Sequence, residues 1–168
     1  YLCGKDMVAY VDGGNNELKL FVVDKLVKLE NFPPLSMQMG DDIFAYVSDE
    51  SAFKIYTKGK LLKIESYAPD YYNVKDNIAA FFINNRFQVF YNGERFELEN
   101  VQPRSTVISN NCMAYVDNAG RLKLFSDGKT RQVTTDAIQS YELNGDILKF
   151  VDSGGLQRIY YNGKIYGN

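Results

Sequence analysis

Histidine is absent from the 168-residue sequence, and its absence limits the chemistry open to the remaining side chains. Without imidazole, His-dependent nucleophile–base triads and His-containing zinc sites are excluded. Carboxylate chemistry survives, since two acids flanking a glycosidic bond suffice for hydrolysis. Asp6, Asp42 and Asp146 occupy equivalent places in a recurring pattern and are the candidates for such work or for an ion site. Asn77 and Asn111 hold the same place in the other two recurrences. That substitution favours a turn-forming role, because Asp and Asn alike bond the backbone two residues on. Asp12, Asp117 and Asp152 also recur, in contexts such as Asp-Gly-Gly that are ordinary turn chemistry.

Two other features could bind a ligand. Lys149 fills a slot that holds Ala9, Ala45, Ala80 and Ala114 elsewhere. If that slot faces a central axis, one ammonium enters a channel otherwise lined by small residues and needs water, Asp146 or Asp6 as partner. The segment Tyr67-Ala68-Pro69-Asp70-Tyr71-Tyr72 concentrates rings with polar tips, which suit sugar faces and protein surfaces alike. Phe32 and Val101 share the position of Tyr67, so the competing reading of that ring is packing at an outer strand. The candidate binding residues are thus Lys149, Asp6, Asp42, Asp146, Tyr67, Asp70, Tyr71 and Tyr72. None is assigned catalysis, and neither a metal nor a cofactor is implied. Cys3 and Cys112 are expected as free thiols.

The elements that must position these residues follow from a repeat of about thirty-five residues. Met7–Asp12 returns as Ile43–Ser48, Ile78–Ile83, Cys112–Asp117 and Ile147–Asp152, each followed by a second apolar run such as Leu18–Phe21 or Leu122–Phe125. Alternation as in Leu122-Lys123-Leu124 marks strands. Lys58-Gly59, Asn92-Gly93, Asp127-Gly128 and Asn162-Gly163 then read as tight hairpins, for which type I′ turns require positive φ at both central residues. Val23-Asp24 stands at that place in the first unit, where a different or longer turn is expected. A third strand and a Pro-bearing connection lead to a fourth, such as Ser36–Met39 or Tyr72–Lys75.

Four short antiparallel strands per unit make a propeller blade. The expected fold is all-β: one five-bladed β-propeller domain spanning 1–168, with blades at about 7–40, 43–75, 78–109, 112–143 and 147–168 plus 1–3. The last blade lacks a fourth strand and Tyr1–Cys3 is in register to supply it, so the N-terminal strand is expected to close the ring. The recurring aromatics Tyr10, Tyr46, Phe81, Tyr115 and Phe150 are expected between adjacent blades.

The phrase Ile43-Phe44-Ala45-Tyr46-Val47-Ser48-Asp49, followed by Lys54-Ile55-Tyr56, resembles the TolB-like propeller repeat. The likeness covers about half of each unit, with Asp41-Asp42 standing where that family's Pro-Asp-Gly turn would be. A ring of five short blades is also similar to the tachylectin-type lectin propellers, whose Trp-rich repeats have no counterpart in this Trp-free chain. Both resemblances imply a propeller, and neither transfers a binding residue.

A formal charge of −2 from 19 basic and 21 acidic residues gives no field to draw nucleic acid. No apolar run is long enough to span a bilayer. The reading is a non-enzymatic interaction module whose rigid ring meets a protein or glycan; alternatives are a small carboxylate-dependent glycosidase and a spacer within a larger polypeptide. A start at Tyr1 without Met suggests removed upstream sequence, hence an extracytoplasmic, periplasmic or cell-surface setting.

Overall fold

A computed structural model of the chain describes residues 1–167. These contain strands and turns and no helix, so no helix long and apolar enough to cross a membrane occurs among them. The first sheet holds β1 (Leu2–Cys3), β2 (Met7–Val11), β3 (Leu18–Val22) and β4 (Lys25–Glu30). The second holds β5 (Ser36–Met39), β6 (Ile43–Val47), β7 (Phe53–Thr57) and β8 (Lys60–Glu65). In the third are β9 (Tyr71–Lys75), β10 (Ile78–Ile83), β11 (Arg86–Tyr91) and β12 (Glu94–Glu99). A 7-stranded sheet follows: β13 (Ser105–Ser109), β14 (Cys112–Val116), β15 (Arg121–Ser126), β16 (Lys129–Asn144), β17 (Ile147–Asp152), β18 (Gln157–Tyr161) and β19 (Lys164–Tyr166). All pairs are antiparallel neighbours in sequence, and β16 serves both halves of the last sheet, pairing β15 up to Ala137 and β17 from Ile138. The chain is therefore five consecutive four-stranded units.

The phase of the units differs from the sequence expectation. Ser36–Met39 opens the second unit by pairing with Ile43–Val47, and does not close the first. Units run from the first strand of each sheet, in place of the boundaries 7–40, 43–75, 78–109, 112–143 and 147–168. The same shift moves Tyr1–Cys3: Leu2 and Cys3 pair with Ala9 and Val8 of their own unit, while β19 pairs with β18 alone among the described residues. The N-terminal strand thus does not close the last unit. Turn length explains the choice. Lys75 and Ile78 are paired across a two-residue turn, whereas Pro33-Pro34, Pro69 and Pro103 sit in connectors, where a fixed φ and a missing N–H end a ladder. The last junction, Thr134-Thr135-Asp136-Ala137, has no proline, and there the strand continues unbroken through 16 residues.

Alternation along the second and third strands gives every unit a leading face, toward the next unit, and a trailing face, toward the previous one. Met7, Ala9, Leu18 and Leu20 lead onto Phe44, Tyr46 and Tyr56. Ile43, Ala45, Phe53 and Ile55 lead onto Ala79, Phe81 and Phe90. The third and fourth units repeat the scheme. Rings meet edge-on across these seams, Phe53 with Phe81 at 5.3 Å and Phe87 with Tyr115 at 5.5 Å between centroids. Tyr46, Phe81, Tyr115 and Phe150 are buried as expected, but Tyr10, with no unit before it, is half-buried.

Val23-Asp24 forms the same left-handed turn as its counterparts, with φ of 44° and 59°. Register allows nothing longer, since Val22 pairs with Lys25. A β-branched residue at positive φ is strained by about 1–3 kcal/mol. The double substitution Val23→Asn, Asp24→Gly is expected to raise unfolding free energy by about 1–2 kcal/mol in urea titrations. Phe81→Ala, which empties a seam, should cost about 3–5 kcal/mol by the same measurement.

Candidate functional site

The meander places two rows of turns on one rim. The inner row joins first and second strands and contains Asp6, Asp42, Asn77, Asn111 and Asp146; the outer row joins third and fourth strands and contains Val23-Asp24, Lys58-Gly59, Asn92-Gly93, Asp127-Gly128 and Asn162-Gly163. Between the rows runs a groove. Its larger cleft, about 510 Å³, crosses the first three units. Met7, Ile43, Tyr56 and Phe90 floor it, Asp6 and Asp42 stand on the inner bank, and Lys25 and Lys58 stand on the outer bank. A smaller cleft of about 270 Å³ lies between the fourth and fifth units, with Asp146, Asn111, Asp127 and Asn162 around it.

The inner-row amides of Asn77 and Asn111 bond from unit to unit, and not two residues on as the Asx-turn expectation had it. Asn77 Oδ1 accepts the Asp42 N–H at 3.0 Å, and Asn111 Oδ1 accepts the Asn77 N–H at 3.0 Å. Backbone continues the relay: Lys5 N–H donates to the Asp41 carbonyl at 3.0 Å, and Asp41 N–H to the Asp76 carbonyl. The turns approach so closely that a Cβ on Gly40 would lie 2.2 Å from the Asp76 carbonyl oxygen, which only glycine avoids. Where Asn stands the side chain ties two units together; where Asp stands at 6 and 42, the carboxylate borders the cleft.

The sequence-predicted residues fall in five places. Asp6 and Asp42 share the larger cleft and Asp146 the smaller one. Lys149 faces no axis: its slot belongs to the leading face, and in the last unit that face is open, leaving Lys149 beside Gln157, Ile159 and Tyr166. Tyr67 and Asp70 are exposed on the connector at the opposite rim, so Tyr67 is not packed at an outer strand; Phe32 and Val101 are exposed likewise. Tyr71 and Tyr72 sit on the first strand β9, half-buried, where the Tyr71 hydroxyl meets Thr106 Oγ1 at 2.9 Å and the Tyr72 hydroxyl donates to Ser36 Oγ at 2.8 Å. Burial pushes the Tyr72 phenol above its usual range, and the bond to Ser36 offsets part of that shift. Cys3 is exposed and Cys112 buried, both free.

Sequence reasoning missed the acids that end the fourth strands. Glu30 accepts from the Tyr46 hydroxyl at 2.7 Å and from Lys54 Nζ, both on the next unit. Glu99 does the same for Tyr115 and Lys123. Burial, and then the bond to the neighbouring carboxylate, holds both phenols far above their ordinary range. The third unit has Phe81 and Gln88 instead, and Arg95 fills in, binding Glu65 at 2.7 Å and lying 5.6 Å over the Phe81 ring. The spacing of Glu30, Glu65 and Glu99 matches the repeat and was the available signal.

On the opposite rim, Asp12, Asp117 and Asp152 close their loops as turn chemistry predicts. Asp117 Oδ1 accepts the N–H groups of Ala119 and Arg121 at 2.9 Å, and Oδ2 meets Arg121 Nε at 2.8 Å and Lys123 Nζ at 3.2 Å. Burial alone would raise this carboxyl, but the bonds from Arg121 and Lys123 outweigh it and hold the pKa below the ordinary 3.8. A folded-state pKa below the unfolded value means stabilisation above the ordinary carboxylate range that fades as pH falls through it. Asp117→Asn should therefore flatten the loss of melting temperature between about pH 5 and pH 3 relative to the parent, as scanned by thermal denaturation at each pH.

The architecture is shared with solved propellers. Human WBSCR16 superposes with a TM-score of 0.52 at 7% identity, over 99% of this chain and 64% of its own. Prp20p from Saccharomyces cerevisiae gives 0.50 at 9% identity, over 93% and 56%, and Kluyveromyces lactis Hsv2 gives 0.47 at 16%, over 91% and 57%. The chain thus spans less than two thirds of each of these structures. No curated protein matches it. With antiparallel four-stranded units in series and a family model that matches residues 1–166, the chain belongs to the 10-bladed beta propeller domain family.

Proposed function

We propose that the chain forms five propeller blades acting as a non-enzymatic interaction module, and that the rim groove across the first three blades receives an extended protein segment. The carrying observation is the composition of that groove: an apolar floor of Met7, Ile43, Tyr56 and Phe90 between acids on one bank and lysines on the other. A peptide backbone with apolar and charged side chains complements such a trough. Prp20p, part of which superposes on this chain, has binding properties to Gsp1p and histones, and that precedent supports a protein ligand here.

The acids support binding over catalysis. General acid and base need environments that push their pKa values apart, whereas Asp6, Asp42 and Asp146 recur in matched positions with Asn in two blades. Panning the immobilised chain against a displayed peptide library, in parallel with a glycan array and aryl-glycoside assays, tests the reading. Peptide ligands are expected, weakened about tenfold or more by Asp42→Lys or Lys58→Glu without loss of fold. Glycan-only binding, or turnover abolished by Asp6→Asn, Asp42→Asn or Asp146→Asn, would overturn it.

A further inference from the structure

The third unit departs from the repeat at three places that meet in space. The loop between its second and third strands is only Asn84-Asn85, both left-handed with φ of 55° and 57°. The first, fourth and fifth units have longer loops there, headed by Asp12, Asp117 and Asp152. On its trailing face the charge pattern changes as well. Lys19 pairs with Lys28 and Lys54 with Lys63, but Gln88 pairs with Glu97, and Arg95 takes the place of Leu26 and Leu61. A cavity of about 460 Å³ lies at this break, on the rim opposite the groove, lined by Asn84, Arg86, Gln88, Arg95 and Glu97 with Glu65 of the second unit.

One side of the cavity is fixed and the other is loose. Arg95 Nε donates to Gln88 Oε1, its Nη2 donates to Glu65 at 2.7 Å, and its Cζ lies 5.6 Å over the Phe81 ring. Arg86 is less constrained. Its counterpart in the fourth unit, Arg121, is tied by Nε to Asp117 at 2.8 Å. The short loop offers Arg86 no aspartate, and its Nη1 reaches Glu97 Oε2 instead, at 2.6 Å. These two side chains are 57% and 44% exposed. An ion pair so open to water is weak, so its members exchange partners at little cost.

We infer that this cavity binds a free α-amino acid in its zwitterionic form. The ligand carboxylate takes the place of Glu97 on the Arg86 guanidinium, and the ligand ammonium takes the place of Arg86 on Glu97. Each member of the opened pair thereby regains an opposite charge, and the guanidinium fork suits a carboxylate at two oxygens. The charge count selects this ligand class. Two guanidiniums and two carboxylates line the cavity and cancel, so a simple anion adds repulsion from Glu65 and Glu97, and a simple cation adds repulsion from Arg86 and Arg95. A ligand with both charges leaves the balance unchanged. The volume falls within the usual range for small-molecule sites. The cavity and the rim groove share no residue, so the inference stands apart from the peptide reading.

Isothermal titration calorimetry of the 168-residue chain tests this against the common L-α-amino acids, each beside its N-acetyl and its amide derivative. At least one amino acid is expected to bind, and blocking either its amine or its carboxylate should weaken it by about tenfold or more. Arg86→Gln and Glu97→Gln should each weaken it by a similar factor while the parent circular dichroism is retained. Replacing Asn84-Asn85 by the Asp-Asn-Ala-Gly of residues 117–120 should abolish binding, since the new aspartate ties down Arg86 as Asp117 ties Arg121. Should that graft fail to fold, the two point variants carry the test. Absence of binding by every amino acid overturns the inference. So does affinity that survives N-acetylation or amidation, which would mark a site for a simple anion or cation, and so does affinity unchanged in both point variants, which would place the ligand elsewhere.

Discussion

The alanine at the centre of the second strand in the first four units sets how closely neighbouring sheets approach, and the rest of the structure depends on that distance. Ala9, Ala45, Ala80 and Ala114 are all fully buried, each on a leading face opposite the rings of the next blade. A larger side chain there would hold the sheets apart and break close packing along the whole seam. Only with the sheets this near can Glu30 reach Tyr46 and Lys54, or Asn77 reach the N–H of Asp42. In the last unit Lys149 takes the place of that alanine and is exposed.

Polar contacts fix what apolar seams leave loose. Flat sheets covered with aliphatic and aromatic side chains could slide along one another at little cost, since dispersion and burial are not directional. Glu30 and Glu99, each shared by a phenol and an ammonium of the next blade, act as locating pins at one side of the seam, and the inner-row amides act at the other. Such charge-assisted bonds contribute about 1.5–3 kcal/mol each, less than a seam's burial but enough to choose one register among near equals.

Period, strand count and hairpins were legible because each has a local signature: alternation, a fixed spacing, Asn-Gly. The phase of the blade was not, because a cyclic pattern of four strands has no marked beginning. The marker lay in turn chemistry, two residues between Lys75 and Ile78 against a proline-bearing connector before Tyr71. Misplacing that boundary turned the inner strand β9 into an outer one and offered Tyr1–Cys3 a pairing with the wrong blade. Lys149 stands out in the sequence as a break in the repeat, but its slot points between units and not into a channel, which strand alternation alone does not reveal. Asp6 and Asp42 were placed on one rim by their spacing, while the apolar floor beneath them comes from residues that read only as core.

The unbroken strand β16 has a mechanical consequence. Elsewhere neighbouring blades are joined by proline-bearing connectors, which can flex about their ends without disturbing a ladder. Between Gln132, which faces Lys123, and Ala137, which faces Arg121, the pairing with β15 slips, and the backbone passes to β17 at Ile138 with a second shift of register, so the fourth and fifth units share one strand with an irregular middle. Bending between these two units falls on that irregular stretch, where Thr134 Oγ1 accepts the Asp136 N–H at 2.9 Å, and not on a proline-bearing connector outside the ladders.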